Sequence, residues 1–195
     1  MRVHRQWHGT TRPERGGPVS PDVPTLTETD LERVLLTAGG EVNGVMGATG
    51  IRVTASSQNM SDNSDGGVSD VDCLGAIYGA EQLVYQGSDW SAVRDQVLQE
   101  PTADNAHWVE QIAVLFPTTE KAQAFVDKSR ATWQKCGGTS IDIDNSDVHS
   151  TWKIDQPDVS GDILTQVSVQ RNAGGWGLPA CAHLGVQRGG RGVGV

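Results

Sequence analysis

The stretch that decides the fold is HWVEQIAVLFPTTEKAQAFVDKSRATWQKC, residues 107–136. Residues 109–116 are apolar and rich in β-branched side chains, which predicts a strand buried on at least one face. Pro117 lacks the N–H that would continue the strand, and Thr118 is a good N-cap. Apolar side chains then recur at helical spacing, so the sequence predicts a helix over 119–135 that lies on the sheet.

Shorter patterns on both sides of this stretch complete the predicted fold. The expected helices lie at 30–36 and 41–46 and in a segment ending at 85, and the other expected strands at 51–55, 90–98, 139–143, 150–154 and 162–170. The strands after the long helix follow one another through short polar turns, which favours antiparallel pairing. We therefore predict an α+β domain with helices packed on a mostly antiparallel sheet.

Composition divides the chain into three parts. Residues 1–24 are rich in Pro, Gly and Arg, so we expect a disordered leader. Residues 25–176 carry the patterns of one domain, whereas 177–195 are rich in glycine and show no strand pattern. The net charge is −9 although both ends are basic, and so acidic a body argues against a nucleic-acid partner.

No apolar run approaches the roughly 18 residues that a membrane-spanning helix needs. The leader also lacks the apolar core of a signal peptide. The expectation is therefore a chain with neither a membrane-spanning segment nor a signal peptide as written.

The three cysteines leave one unpaired. Cys73 and Cys136 are far apart and neither has metal-ligand spacing around it, so the residues favour a disulfide or, equally, two buried free thiols.

A polar loop suggests a calcium site, but its acids miss the EF-hand register and a solvated loop is favoured. Those acids are Asp62, Asp65, Asp70 and Asp72. We expect no metal and no cofactor.

Catalytic motifs are missing from the sequence. His107 and His149 are the histidines of the predicted domain, and His149 stands beside Ser150 with Asp147 two residues before it. Neighbours on a strand point to opposite faces, so His149 and Ser150 cannot form a nucleophile–base pair. We expect no catalytic residues.

Polar residues of two neighbouring strands are the candidates for lining a cleft. If the strands at 90–98 and 109–116 form a hairpin, Arg94 and Glu110 could be cross-strand neighbours, as cleft groups or as a plain surface ion pair. The candidate ligand-binding residues are Arg94, Gln96, Glu110, Gln111 and Trp90. We interpret Trp90, Trp108 and Trp133 first as packing anchors.

Four phrases carry a family resemblance: CLGA at 73–76, YQGSDWSAVRDQVLQEP at 85–101, HWVEQIAVLFPTTEKAQAFV at 107–126 and WQKC at 133–136. In this order and spacing they resemble the PknH-like extracellular sensor domain. That domain occurs on a mycobacterial receptor serine/threonine kinase and, without a kinase, in exported lipoproteins. The resemblance covers roughly 31–176.

The resemblance implies an extracytoplasmic or cell-surface α+β domain with an antiparallel sheet, a broad cleft and structural disulfides. It also implies a bridge between Cys73 and Cys136, which match the first two family cysteines. We therefore expect a non-enzymatic domain that senses an unknown small molecule or cell-envelope component. The alternatives are a cell-envelope hydrolase using the same cleft and a degenerate copy without function.

The end of the chain departs from the family pattern. The family's third and fourth cysteines follow a G-G-W phrase, which is present at 174–176, but the next residues do not match. One hypothesis is a reading-frame shift near Gly177, and the alternative is a genuine divergent tail. In both cases Cys181 is expected to lack its family partner.

Overall fold

The computed structural model describes residues 26–62, 67–101, 107–144, 149–161, 163–172, 175–187 and 191–194. Side chains are described as far as Arg171, and the backbone alone beyond it. The predicted leader, residues 1–24, therefore lies outside the described residues.

A ten-stranded sheet forms the body of the domain. Its strands are β1 (Arg52–Ser57), β2 (Gly67–Val68), β3 (Ala92–Gln99), β4 (Trp108–Leu115), β5 (Ser140–Asp144), β6 (His149–Ile154), β7 (Asp158–Ser160), β8 (Ile163–Asn172), β9 (Gly175–Gln187) and β10 (Arg191–Gly194). Their order is β1-β3-β4-β10-β9-β8-β6-β5-β2, and β7 pairs with β8. All of these pairings are antiparallel, which confirms the predicted α+β class.

The long helix is α4 (Thr119–Cys136), one residue longer than predicted. The Oγ1 of Thr118 caps it by accepting a hydrogen bond from the N–H of Lys121 at 3.3 Å. The other predicted helices form as short pieces, since few of their turns are packed against the core. These are α1 (Leu31–Val34), α2 (Asn43–Met46) and α3 (Gln82–Tyr85), with 3-10 turns at Glu28–Asp30 and Val71–Ala76 and a π turn at Ala38–Val42. Within the described residues, no helix has the length and apolar character to cross a membrane.

The main core lies on one face of the sheet, here called the core face, which carries Val93, Ile112 and Val114. Phe125 and Trp133 of α4 are buried in the same cluster, as predicted. The helix contacts β9 and β10, whereas segment 71–85 covers the neighbouring part of β4. Strands of the glycine-rich tail thus support the helix.

A disulfide joins α4 to segment 71–85. The Sγ atoms of Cys73 and Cys136 are 2.06 Å apart and the two Cα atoms 5.7 Å apart. Cys136 is the last residue of α4, and Cys73 lies in the 3-10 turn. The expected bridge is confirmed, and it holds the end of the helix and the segment on the same face.

The opposite face of the sheet, here called the N-terminal face, is covered by residues 26–51. Leu31 and Leu35 pack on Ala92, Ala113 and Leu115. A second cluster, farther along the strands, is formed by Val42, Ile51 and Leu98. The first strands of the sheet are therefore covered on this face along most of their length.

Gln111 fastens the N-terminal segment to the sheet. Its side chain is 1% exposed. The Oε1 accepts from the N–H of Leu36 at 2.9 Å, while the Nε2 donates to the Leu36 carbonyl at 2.9 Å and to the Oε1 of Gln96 at 3.2 Å. One amide therefore satisfies both backbone groups of Leu36, which lie against the sheet.

Residues 177–195, whose sequence shows no strand pattern, nevertheless contribute to two strands of the sheet. β9 pairs with β8 and β10, and β10 pairs with β4, so the tail closes the sheet between β4 and β8. Strand pairing uses backbone groups that glycine also possesses, so a segment without an apolar pattern can still be paired. The register shifts between Val169 and Arg171, next to Pro179, which has no N–H to donate. The frame-shift hypothesis stays a prediction, and the Cys181 side chain lies outside the described residues.

Replacing both bridged cysteines by alanine, Cys73→Ala with Cys136→Ala, should lower the free energy of unfolding by about 4 kcal/mol. The unfolded chain regains the entropy of a loop with a sequence separation of 63 residues. For a protein of this size the melting temperature should fall by roughly 8–16 °C. Thermal and urea unfolding followed by circular dichroism would measure both, in a Cys181→Ser background that prevents thiol exchange. An unchanged melting temperature would show that the bridge does not stabilise the fold.

Gln111→Leu should destabilise the domain by about 2–4 kcal/mol, because the N–H and carbonyl of Leu36 would lose their partner in a part-buried site. Hydrogen exchange at the Leu36 amide should accelerate more than at amides of α4. Gln96→Leu is the matched control, since it removes one hydrogen bond to Gln111 and leaves both Leu36 bonds intact. Equal effects of the two substitutions would contradict this role of Gln111.

Candidate functional site

The register of β3 and β4 divides the predicted site residues between two faces. Arg94 lies opposite Ala113, and Glu110 lies opposite Val97. Ala113 lies on the N-terminal face, so its partner Arg94 does too. Ile112 lies on the core face, and so does Glu110, since alternate residues of a strand share a face. The prediction that Arg94 and Glu110 are cross-strand neighbours is therefore wrong.

Three of the five predicted residues lie under the N-terminal segment. Gln96 and Gln111 hydrogen-bond to each other, and the guanidinium of Arg94 is 3.8 Å from the carboxylate of Glu32 on α1. These contacts hold the N-terminal segment on the sheet. A ligand-binding role for these three residues stays a prediction.

Part of the core face remains open, and we call it the open strip. It consists of Trp108 and Glu110 of β4, Val97 and Gln99 of β3, and Arg52 and Ala55 of β1, which are cross-strand partners. Segment 71–85 reaches only its inner end, where Gly79 lies against Ile112 and Glu110. Trp108 is 56% exposed and Ala55 is also exposed, so the outer end faces solvent.

Three carboxylates converge at the inner end of the open strip. Glu81, in the segment above the strand, is buried, and Asp95 of β3 is 8% exposed. Glu110 of β4 is half-buried beneath Gly79. The Oδ1 of Asp95 has no hydrogen-bond partner among the described residues.

A short backbone bridge holds Glu81 in this position. The N–H of Ser61 donates to the carbonyl of Ala80, and the N–H of Gln82 donates to the carbonyl of Ser61, both at 2.8 Å. Ala80 has φ +47°, a conformation that is uncommon for a residue with a side chain. The segment is thus folded back tightly over β4, which places a third carboxylate near Asp95 and Glu110.

Burial and mutual repulsion change the titration of these carboxyl groups. Burial, together with the negative charges of Asp95 and Glu81, raises the pKa of Glu110 to about 7, although the Gly79 N–H favours the ionised form. Burial also raises the pKa of Asp95. Burial and, to a smaller extent, the charge of Glu110 raise the pKa of Tyr85. Glu110 can therefore hold or release a proton near neutral pH.

Trp90 lies in a separate open groove of about 410 Å³ on the other side of Tyr85. The Nζ of Lys121 on α4 is 2.8 Å from the Oδ2 of Asp89, which fixes the loop before β3 to the helix. Tyr85 forms the buried wall, with its ring centroid 4.3 Å from that of Phe125. The lining residues are Asp62, Gln82, Leu83, Tyr85, Gln86, Gly87, Asp89 and Trp90.

The structure separates the residues considered for catalysis. His149 is exposed and its Nδ1 is 3.5 Å from Asp144, whereas Ser150 is buried on the other face. The two side chains point in opposite directions, as the sequence predicts. Asp147 and Asp65 lie outside the described residues. Within the described ones, no three His, Cys, Asp or Glu side chains are grouped as metal ligands.

Sequence reasoning missed three residues of the site. Asp95 lies in a strand pattern with polar residues on both faces, and Glu81 lies in a segment predicted to be helical, so the sequence marks neither residue as a candidate. The prediction that Trp108 and Trp133 are packing anchors is correct for Trp133, which is buried, but wrong for Trp108, which is exposed. The available signal was the order Val93, Asp95, Val97, in which one carboxylate interrupts an apolar face.

Comparisons with known proteins agree with this fold. The family model described as PknH-like extracellular domain matches residues 26–186. The serine/threonine-protein kinases PknH of Mycobacterium bovis and Mycobacterium tuberculosis are each 35% identical over 162 residues, which is 83% of this chain. The chain spans only about a quarter of these relatives, 27% and 25% of their lengths.

A solved structure shares the same architecture. The crystal structure of the extracellular domain of PknH from Mycobacterium tuberculosis matches with a TM-score of 0.79 and 30% sequence identity. The match covers 88% of this chain and 87% of that one. The family model extends to residue 186 and therefore includes nearly all of β9.

The raised pKa of Glu110 predicts a stability that falls as the pH rises. The folded state holds this proton more tightly than the unfolded chain, whose carboxyl has an ordinary pKa of 4.5. The contribution is thus complete below about pH 4.5 and is lost as the pH rises through about 7. Glu110→Gln should reduce this loss and make the protein more stable than wild type at about pH 8, as measured by urea unfolding across a pH series.

Glu32→Gln is the matched control, because it also removes one carboxylate but from the exposed surface of α1. The control should keep the wild-type decrease in stability. A Glu110→Gln variant with the same decrease as wild type would show that Glu110 does not titrate in this range.

Proposed function

Because the chain belongs to the PknH-like extracellular domain family, we propose that it is an extracytoplasmic sensing domain that binds a small molecule or a cell-envelope component. The observation that carries the proposal is the open strip. A folded domain buries its large aromatic side chains where it can, and an exposed Trp108 on a sheet face is typical of a binding surface.

The inner end of the open strip supports the same proposal. Buried carboxylates without full hydrogen bonding reduce stability, so a fold selected for stability alone would replace them. Groups of this kind cluster at functional sites. Glu110 and Trp108 are therefore the residues that we expect to contact a ligand first, and the separate groove at Trp90 is a second candidate contact area.

We propose a binding function without catalysis. Acid–base chemistry at Glu110 would need a second positioned group, and hydrolysis by a serine would need a base next to it. The exposed His149 and the buried Ser150 do not provide that pair. The carboxylates at the inner end remain the only acid–base candidates that we identify among the described residues.

Isothermal titration of the full chain with soluble saccharides, peptides and amines prepared from cell envelopes would test the proposal. We expect a saturable heat signal from at least one preparation, lost in Trp108→Ala and kept in Val159→Ala. Val159 is a matched control, since it is also an exposed apolar residue and lies on β7, beyond β10, β9 and β8 from β4.

Two results would contradict the proposal. Binding that Trp108→Ala leaves unchanged would place the site away from the open strip. Turnover of a titrated compound that Glu110→Gln or His149→Ala abolishes would make the domain a hydrolase.

A further inference from the structure

The open strip joins an anionic end to an apolar end. Asp95 and Glu110 lie on the same face, because Asp95 pairs with Ile112 and Glu110 with Val97. As diagonal neighbours on adjacent strands, the two residues lie about 7–8 Å apart, with a somewhat shorter distance between their Cβ atoms. Trp108 follows on the same face two residues from Glu110, about 7 Å along the strand.

The carboxylate of Asp95 is incompletely hydrogen-bonded within the described residues. Its carboxylate is buried, with 8% of the residue exposed, and its Oδ1 accepts no hydrogen bond from any described residue. The negative charges of Asp95 and Glu81 disfavour the ionised form of Glu110. A cation placed between Asp95 and Glu110 would be attracted by both carboxylates and could donate to the orphaned oxygen.

The described charged groups around this position are mostly acidic. Asp95 and Glu110 come from the two strands and Glu81 from the segment above them. Arg52 is on the same face, but it pairs with Gln99 at the outer end of the strip and is exposed to solvent. The inner end therefore attracts a cation, and repels phosphate and carboxylate ligands.

The shape of the strip selects the kind of cation. A primary ammonium group has three hydrogens to donate, so it can bind two carboxylates on diagonal neighbours, whose Cβ atoms are somewhat less than about 7–8 Å apart. A divalent metal ion would need a tighter group of ligands, and the described residues contain no such group. The exposed ring of Trp108 beside these carboxylates suits an apolar body or a second contact with the cation.

We propose that the open strip binds a primary amine, with its ammonium group between Asp95 and Glu110 and its apolar body on Trp108 and Val97. This inference rests on the proposed function, because it names the chemical class of the ligand for the same surface. The body should be short, since Trp108 lies only two residues from Glu110.

Titration of the full chain with phenethylamine at about pH 8, where Glu110 is mostly ionised, tests the inference. The neutral 2-phenylethanol and the anionic 3-phenylpropanoate are matched probes with the same ring. We expect saturable binding of the amine, at least about tenfold tighter than the alcohol, and none of the acid. Glu110→Gln should weaken the amine about tenfold or more and bring its affinity to that of the alcohol.

Trp108→Ala should weaken the amine and the alcohol alike, whereas Glu32→Gln and Val159→Ala should change neither. Nuclear magnetic resonance of the Glu110 side-chain carboxyl should also show a lower pKa when the amine is bound, because the cation favours the ionised form. A purely structural role for Glu110 would leave that pKa unmoved by the probe.

The outcomes separate this inference from the proposed function. Equal affinity for amine and alcohol, both lost in Trp108→Ala, would overturn the amine inference and leave the binding function supported. No saturable binding of the amine would also overturn the inference, while the titration with envelope preparations would decide the function by itself. Amine binding together with turnover that depends on Glu110 would keep the inference and overturn the proposed function.

Discussion

The antiparallel register of β3 and β4 is the constraint on which the rest of the structure depends. It places Val93, Ile112 and Val114 on one face and Ala113 and Leu115 on the other, so both faces can build a core. A slip of one residue would exchange the two sets of side chains and bury the wrong ones. The same register sends Glu110 to the core face and Gln111 to the N-terminal face, which gives two adjacent polar residues unrelated roles.

Covering the two faces uses different parts of the chain. The N-terminal face is closed by residues 26–51, which Gln111 ties to the sheet. On the core face α4 lies over β9 and β10, and the disulfide fixes segment 71–85 beside it. Because this segment reaches β4 only as far as Gly79, the outer end of the core face stays uncovered. The open strip is thus a consequence of how far the covering segment extends.

The carboxylates beneath that segment are unfavourable for folding in the ionised state. Asp95 and Glu110 both have a raised pKa, so the folded protein favours their protonated forms more than the unfolded chain does. Proteins tolerate such groups where they serve a site, and the main core on the same face, with its disulfide, supplies compensating stability. Charge and exposed aromatic surface therefore occur together at one end of an otherwise well-packed sheet.

The sequence by itself determined the strand before Pro117, the helix after Thr118 and the antiparallel α+β class, because these depend on local periodicity and capping. It also determined the Cys73–Cys136 bridge, through phrases that match the family. Tertiary structure alone decided three features. The tail became β9 and β10 because backbone pairing needs no apolar pattern. Trp108 stayed exposed, and Glu81 came close to Asp95 and Glu110, because segments distant in the chain determine which parts of a face are covered. A local sequence pattern shows only which residues share a face, not which segment covers them.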